Sequence, residues 1–307
     1  MLFGVSGLSA SWRAGNKALE VQCLIYLAYV RIFQGRPQEG IAIAHQARAI
    51  SGELPERMET MSLWALGTGL QEAGEYEEAL MLARKGTERA REVQDAFLLG
   101  SNIGRLGEAH EALLNLEEAR AAYEEAGEYY RVYSHARFCV LAALSEDWED
   151  AYAHARKAQE IGMFFNPVFS VYLHHEVEAL LRGGDEGLAR EEVRRFAERA
   201  RTNERDRMAY LRSLAVLSEW EGDTKRAIDH LREAEALVEK IGLPGELWQI
   251  RSRMGELHER GGEVGEAREA FFRAAQTLRA LAAKIKDEGL RESFLAAPQV
   301  RGVLSHV

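Results

Sequence analysis

The chain has little of what interrupts or cross-links a helical protein. Its 307 residues include two cysteines and five prolines. Cys23 and Cys139 stand far apart and form no CxxC. That excludes a disulfide framework and a thiolate metal knuckle, and it fits a reducing compartment, the cytoplasm. So few prolines favour long uninterrupted helices. No apolar run approaches the ~20 residues that a membrane span needs. The opening MLFGVSGLSASWR lacks a basic leader before its apolar part, so it reads as a leftover helix and not as a signal peptide.

An excess of positive charge is missing too. Lys and Arg number 39 against 49 Asp and Glu, a net charge of −10. A protein that neutralises phosphates needs a basic surface, so nucleic acid is not expected as a partner of this chain alone. One arginine-rich stretch runs from Arg194 to Arg207, but Glu191, Glu192, Glu198, Glu204 and Asp206 interleave with it. It reads as a solvated helix face laced with ion pairs. Runs of Val, Ile and Thr that would favour strands are also lacking.

Catalytic signatures are absent in the same way. There is no G-x-x-x-x-G-K-[ST] phosphate loop, no HExxH and no G-x-S-x-G elbow. His174 and His175 are neighbours, and on a helix neighbours point about 100° apart. His174 with Glu178 has the better i, i+4 spacing, yet no third metal ligand accompanies it. The glycine-rich GGD at 183–185 and GGEVG at 261–265 fall at turns of a repeat. We therefore expect no catalytic residues, no metal, no cofactor and no enzyme activity.

What is present is a period. Hydrophobic residues make up 47% of the chain and charged ones 29%, with Ala, Leu, Glu and Arg, all strong helix formers, prominent. In EAGEYEEALMLARKG, Glu72 to Gly86, a turn glycine precedes an aromatic and then a small Ala79. The same small slot recurs at Gly40, Ala79, Ala119, Ala151, Ala189, Ala227 and Ala267, in steps of 39, 40, 32, 38, 38 and 40 residues. Each unit reads as two helices. Leu63, Leu66, Gly67 and Leu70 give the first helix of the second unit an apolar face at i, i+3, i+4, i+7. Gly74 makes the turn. Tyr76, Ala79, Leu80, Ala83 and Gly86 line one side of the second helix. Ala79 is small because two helices cross there. The fifth unit departs most, with Glu176 at an expected core leucine and Glu186 at an expected aromatic. Stacked units of this size form quasi-one-dimensional arrays.

These residues resemble the tetratricopeptide repeat family, over roughly Asn16 to Lys284. The resemblance implies an all-α, right-handed α-solenoid of about seven helix-turn-helix repeats. The expected organisation is residues 1–15 as the remnant of a preceding helix or an N-terminal cap, 16–286 as the superhelix, and 287–307 as a C-terminal capping helix and tail. The capping helix is expected from about Glu288 to Ala296, ended by Pro298, with Leu290, Phe294 and Leu295 covering the last unit. The tail LRESFLAAPQVRGVL is similar to the end of arrays in bacterial LuxR-type activators, nucleotide cyclases and signal-transduction ATPases.

The same resemblance assigns the concave positions of the first helices. Among them Tyr29, Trp64, Thr68, Gln71, Glu108, Glu111, Tyr133, His174, Glu178, Arg212 and Glu219 form the expected binding lining. Tyr29, Trp64 and Tyr133 are rigid amphipathic anchors. The expected role is a non-catalytic scaffold that takes a peptide or protein segment in the groove, as the sensor part of a bacterial transcriptional or signalling regulator. Two alternatives stand beside it. One is a sensor for a small-molecule inducer such as an oligosaccharide, and the other a homo-oligomeric self-association module.

Overall fold

The computed structural model describes residues 15–127, 131–161 and 172–307, with side chains described from 134 onward in the second of these stretches. Residues 1–14, and with them the expected N-terminal remnant, lie outside the described residues. Two compact units divide the chain, residues 1–130 and 131–307.

In the first unit the described helices are α1 (Lys17–Phe33), α2 (Pro37–Ser51), α3 (Glu56–Glu72), α4 (Tyr76–Val93), α5 (Ala96–Ala112) and α6 (Leu116–Gly127). They form three antiparallel pairs, each packed on the next. The second unit holds α7 (Arg131–Leu144), α8 (Trp148–Ile161), α9 (Leu173–Arg182), α10 (Glu186–Ala200), α11 (Glu204–Trp220), α12 (Thr224–Ile241), α13 (Pro244–Arg260) and α14 (Val264–Lys284). That is four more pairs. Two short helices, α15 (Glu288–Ala296) and α16 (Pro298–Leu304), follow. No strand occurs among the described residues.

The recurring small slot sets the packing. Gly40, Ala79, Ala119, Ala151, Ala189, Ala227 and Ala267 all sit on the second helix of a pair and all are buried. Gly40 shows why the slot stays small. A Cβ there would stand 2.4 Å from Ile32 Cγ1 and 2.9 Å from the Ala28 carbonyl oxygen, which is backbone and cannot move aside. The fifth repeat keeps its register. Leu173, His174, Val177, Ala179, Leu180 and Leu181 are the buried residues of α9, while Glu186 is exposed at the start of α10.

Each pair turns through the same conformation. At the α3–α4 turn Gly74 has φ +77°. Its amide donates to the Gln71 carbonyl at 3.0 Å, and the Glu75 amide to Leu70 at 2.9 Å. The third and fourth repeats place non-glycine residues in that left-handed position, Leu114 and Glu146, each at φ +59°. The local bonds are the same: Leu114 to Glu111 at 2.9 Å, and Glu146 to Ala143 at 3.1 Å. A β-carbon in this region is strained, so here the pair geometry overrides local preference.

Three sequence expectations change. The arginine-rich stretch is not one solvated face. It breaks at a turn between α10 and α11, and Arg205 and Asp206 beyond it are buried. Pro298 ends the capping helix but also opens α16, at whose first position its missing N–H costs nothing. The cover is also broader than expected, since Val300 and Val303 are buried together with Phe294.

Candidate functional site

In the first unit, α1 and α3 place their first-helix faces side by side. Tyr29 and Trp64, 35 positions apart in sequence number, stack with ring centroids 3.9 Å apart and 23° from parallel. Phe33 packs at a tilt against Tyr29, 5.2 Å away. The Tyr29 hydroxyl lies 3.3 Å from Thr68 Oγ1. Thr68 itself donates to the Trp64 carbonyl one turn back, at 2.9 Å. The stack is therefore fixed from both sides, and it joins the first repeat to the second.

Beside Trp64 lies a shallow hollow of about 200 Å3, open solvent included. Leu63, Gly67, Ala79 and Ala83 make its floor, and Trp64, Gln71 and Arg105 its rim. The small residues of the repeat pattern leave the space. Arg105, from α5, is the functional residue that the sequence reading missed. Its guanidinium lies 3.5 Å from Thr68 Oγ1 and pairs with Glu108 one turn on. The i, i+3 spacing of Arg105 and Glu108 was the available signal.

The remaining predicted residues fall into distinct settings. Glu108 is 1% exposed and held by Arg105. Glu111 is buried and accepts a bond from the Tyr123 hydroxyl at 2.7 Å. Thr68 is buried as well. The side chain of Tyr133 lies outside the described residues.

In the second unit, His174 is buried, its ring 4.0 Å from that of His175. Burial pushes the His175 imidazole down to about 3, with the Arg212 guanidinium acting the same way. Glu178 accepts two bonds from Arg182, at 3.0 and 2.7 Å. Arg212 pairs with Glu246 and donates to Gln249 at 3.0 Å. Glu219 receives Arg253 and Arg260, each at 2.7 Å. These contacts tie α11 to α13. The structure thus brings Tyr29, Trp64, Thr68 and Gln71 into one place, sets Arg212 and Glu219 in an ion-pair ladder between α11 and α13, and keeps His174 and Glu178 with their α9 neighbours His175 and Arg182.

A second polar cluster lies between α8, α9 and α10. Gln159 donates to Glu176 at 2.5 Å. Burial pushes the Glu176 carboxyl up to about 7, and Glu192 adds to the rise. Glu192 is 2% exposed and burial pushes it to about 7 also. Among the described residues no group of three or more His, Cys, Asp or Glu is placed to hold a metal ion. No described helix is long and apolar enough to cross a membrane.

No protein-family model matches the chain, and no curated protein matches its sequence. Solved structures do. The Rap conjugation gene regulator of the plasmid pLS20, in complex with the Phr* peptide, aligns over 88% of this chain and 77% of its own, at 14% identity and a TM-score of 0.73. The APC/C hetero-tetramer Cut9–Hcn1 aligns over 94% of this chain and 55% of its own, at 16% identity and a TM-score of 0.57. This chain therefore spans about half the length of that second structure. A tetratricopeptide repeat protein from Parabacteroides merdae aligns more loosely, at 13% identity, 92% and 98% coverage, and a TM-score of 0.42. At such identities the first two likenesses establish fold. The fold is an all-α helical-repeat array of the tetratricopeptide-like class, the class that the sequence resembles.

Proposed function

We propose that the chain is a non-catalytic binding array that takes a peptide or protein segment against the first-helix face of its first unit. The observation that carries this reading is the Tyr29–Trp64 stack beside the hollow. A partly accessible Trp64 on a rigid backing, with Gln71 and Arg105 at the rim, is the pairing of apolar anchor and polar rim that recognition sites use. The Rap structure, solved with a bound peptide, supports a peptide as ligand. A sensor or regulatory role in a bacterial signalling protein is the context we favour.

A small-molecule inducer such as a sugar is the second reading, since an aromatic face invites ring stacking. It is the weaker one. Glu108 and Glu111, the acids that would bind hydroxyls, are already held by Arg105 and Tyr123.

The test is selection from a displayed peptide library on the full chain, followed by titration of Trp64→Ala and Tyr29→Ala. Loss of a buried aromatic anchor costs 2 kcal/mol or more, about 30-fold in Kd. Unchanged affinity in both variants removes the first-unit site.

A further inference from the structure

The second unit contains one contact that the repeat pattern does not require. In the turn after α7, the amides of Ser145, Glu146 and Asp147 take the carbonyls of Leu141, Ala142 and Ala143. Leu144, the last residue of α7, is reached from far along the chain. The side-chain amide of Gln299, on α16, donates to the Leu144 carbonyl at 2.8 Å, across 155 positions. The same segment is anchored on the seventh repeat. α16 packs on α14 and α15, its Val300 and Val303 are buried, and His306 lies flat on Phe271 with ring centroids 3.9 Å apart and 9° from parallel. One short stretch thus holds the fourth repeat and the seventh together.

We propose that residues Pro298 to His306 form a releasable strap that fixes the curvature of repeats four to seven, the stretch whose first helices carry His174, Glu178, Arg212 and Glu219. Helical arrays change shape by small shear between neighbouring pairs. Shear summed over three interfaces alters the separation of the fourth and seventh repeats, and that separation is what the strap sets. Opening the strap therefore loosens the faces of α9 and α11, and anything that bends those helices strains the strap.

The strap is built to let go. The Gln299 carbonyl oxygen, Oε1, is buried and has no hydrogen-bond partner. Closure makes one bond and strands one acceptor, whereas release gives both groups to water. A made bond and an unmade one partly offset each other, so detaching Gln299 from Leu144, with Val300 and Val303 still buried, costs little: the closed form dominates and the open one stays within reach, as a switch requires. Nothing in this depends on the aromatic site of the first unit, and the two stand or fall separately.

The test needs no ligand. Spin labels are placed at Glu149→Cys and Ser305→Cys, both exposed positions, in the full chain carrying Cys23→Ser. Cys139 is buried, and burial pushes its thiol well above the ordinary range, so it stays unlabelled. Distances are read by double electron–electron resonance, and amide exchange by mass spectrometry. The closed strap gives one narrow distance distribution. Gln299→Glu, which sets a carboxylate against the Leu144 carbonyl, broadens it and lengthens its mean by at least ~5 Å, about one helical turn. Exchange then rises on α9 and α11 and stays level on α1 to α5.

A broad distribution in the parent chain, or a narrow one in Gln299→Glu, overturns the proposal. Should exchange rise on α14 and α15 instead, the cap itself has melted. The milder Gln299→Ala then decides, a broad distribution supporting the strap and a narrow one overturning it.

Discussion

Tyr29 of the first repeat lies flat on Trp64 of the second, with ring centroids 3.9 Å apart, and Thr68 grips both through its hydroxyl. Such a stack contributes about 0.5–1.5 kcal/mol beyond the area that it buries. A double-mutant cycle of Tyr29→Leu and Trp64→Leu in urea unfolding should return a coupling of that size. A coupling near zero would mean that the rings are neighbours without being a stitch between repeats.

The two non-glycine turns offer an easy gain in stability. Leu114 and Glu146 occupy a left-handed conformation that costs an L-residue about 1–2 kcal/mol. Glycine removes that strain but adds freedom to the unfolded chain, worth about 0.4–1 kcal/mol. Leu114→Gly also gives up a half-buried side chain, which offsets part of the gain, whereas Glu146 is exposed. Glu146→Gly should therefore raise the unfolding free energy by a few tenths to about 1 kcal/mol, and Leu114→Gly by less. The reverse change, Gly74→Ala at φ +77°, should lower it by a similar amount. Thermal melts of the three variants check the sign in each case.

The Glu176–Gln159–Glu192 cluster gives the second unit an unusual response to pH. Both carboxyls are pushed up to about 7, above their unfolded range near 4.5. Between about pH 4.5 and 7 the folded chain holds protons that the unfolded chain has lost. Stability from these groups is thus greatest below pH 4.5 and falls as pH rises through 7. His175, pushed down to about 3, works the other way, losing stability on acidification below 6.5. The comparison that isolates the carboxyls is wild type against Glu176→Gln/Glu192→Gln, because both retain His175. The variant should be the more stable at pH 8, by on the order of 1–3 kcal/mol. It should show little difference at pH 5. Denaturant midpoints at the two pH values settle it, and an advantage that grows toward acid would refute the reading.

The repeat was legible because its rule is steric. Where two helices cross, only Gly or Ala fits, and Gly40, Ala79 and Ala151 announce that at each pass. The helix pairs and their phase follow from this spacing, the α15 cap is read from the apolar tail before Pro298, and the Tyr29 and Trp64 positions come from the family resemblance. Features set by reach rather than by spacing were not legible. Arg105 arrives at Thr68 on a long flexible arm, which no register predicts. Leu114 and Glu146 hide two turns, because the pair geometry forces a conformation that their side chains resist. Pro298 reads as a stop, yet proline is equally at home in the first turn of the next helix. The burial of Glu108 and Glu111 depends on Arg105 and Tyr123, partners that come into reach only when helices pack.

The ladder that joins α11 to α13 makes one more quantity adjustable. Arg212 with Glu246, and Glu219 with Arg253 and Arg260, are Coulombic rungs, several of them partly open to solvent and so to screening. The seam between α1 and α3 in the first unit is instead an aromatic stack, which ions barely affect. The two seams should thus behave as springs of different kinds, one softening as salt is raised and the other keeping its stiffness.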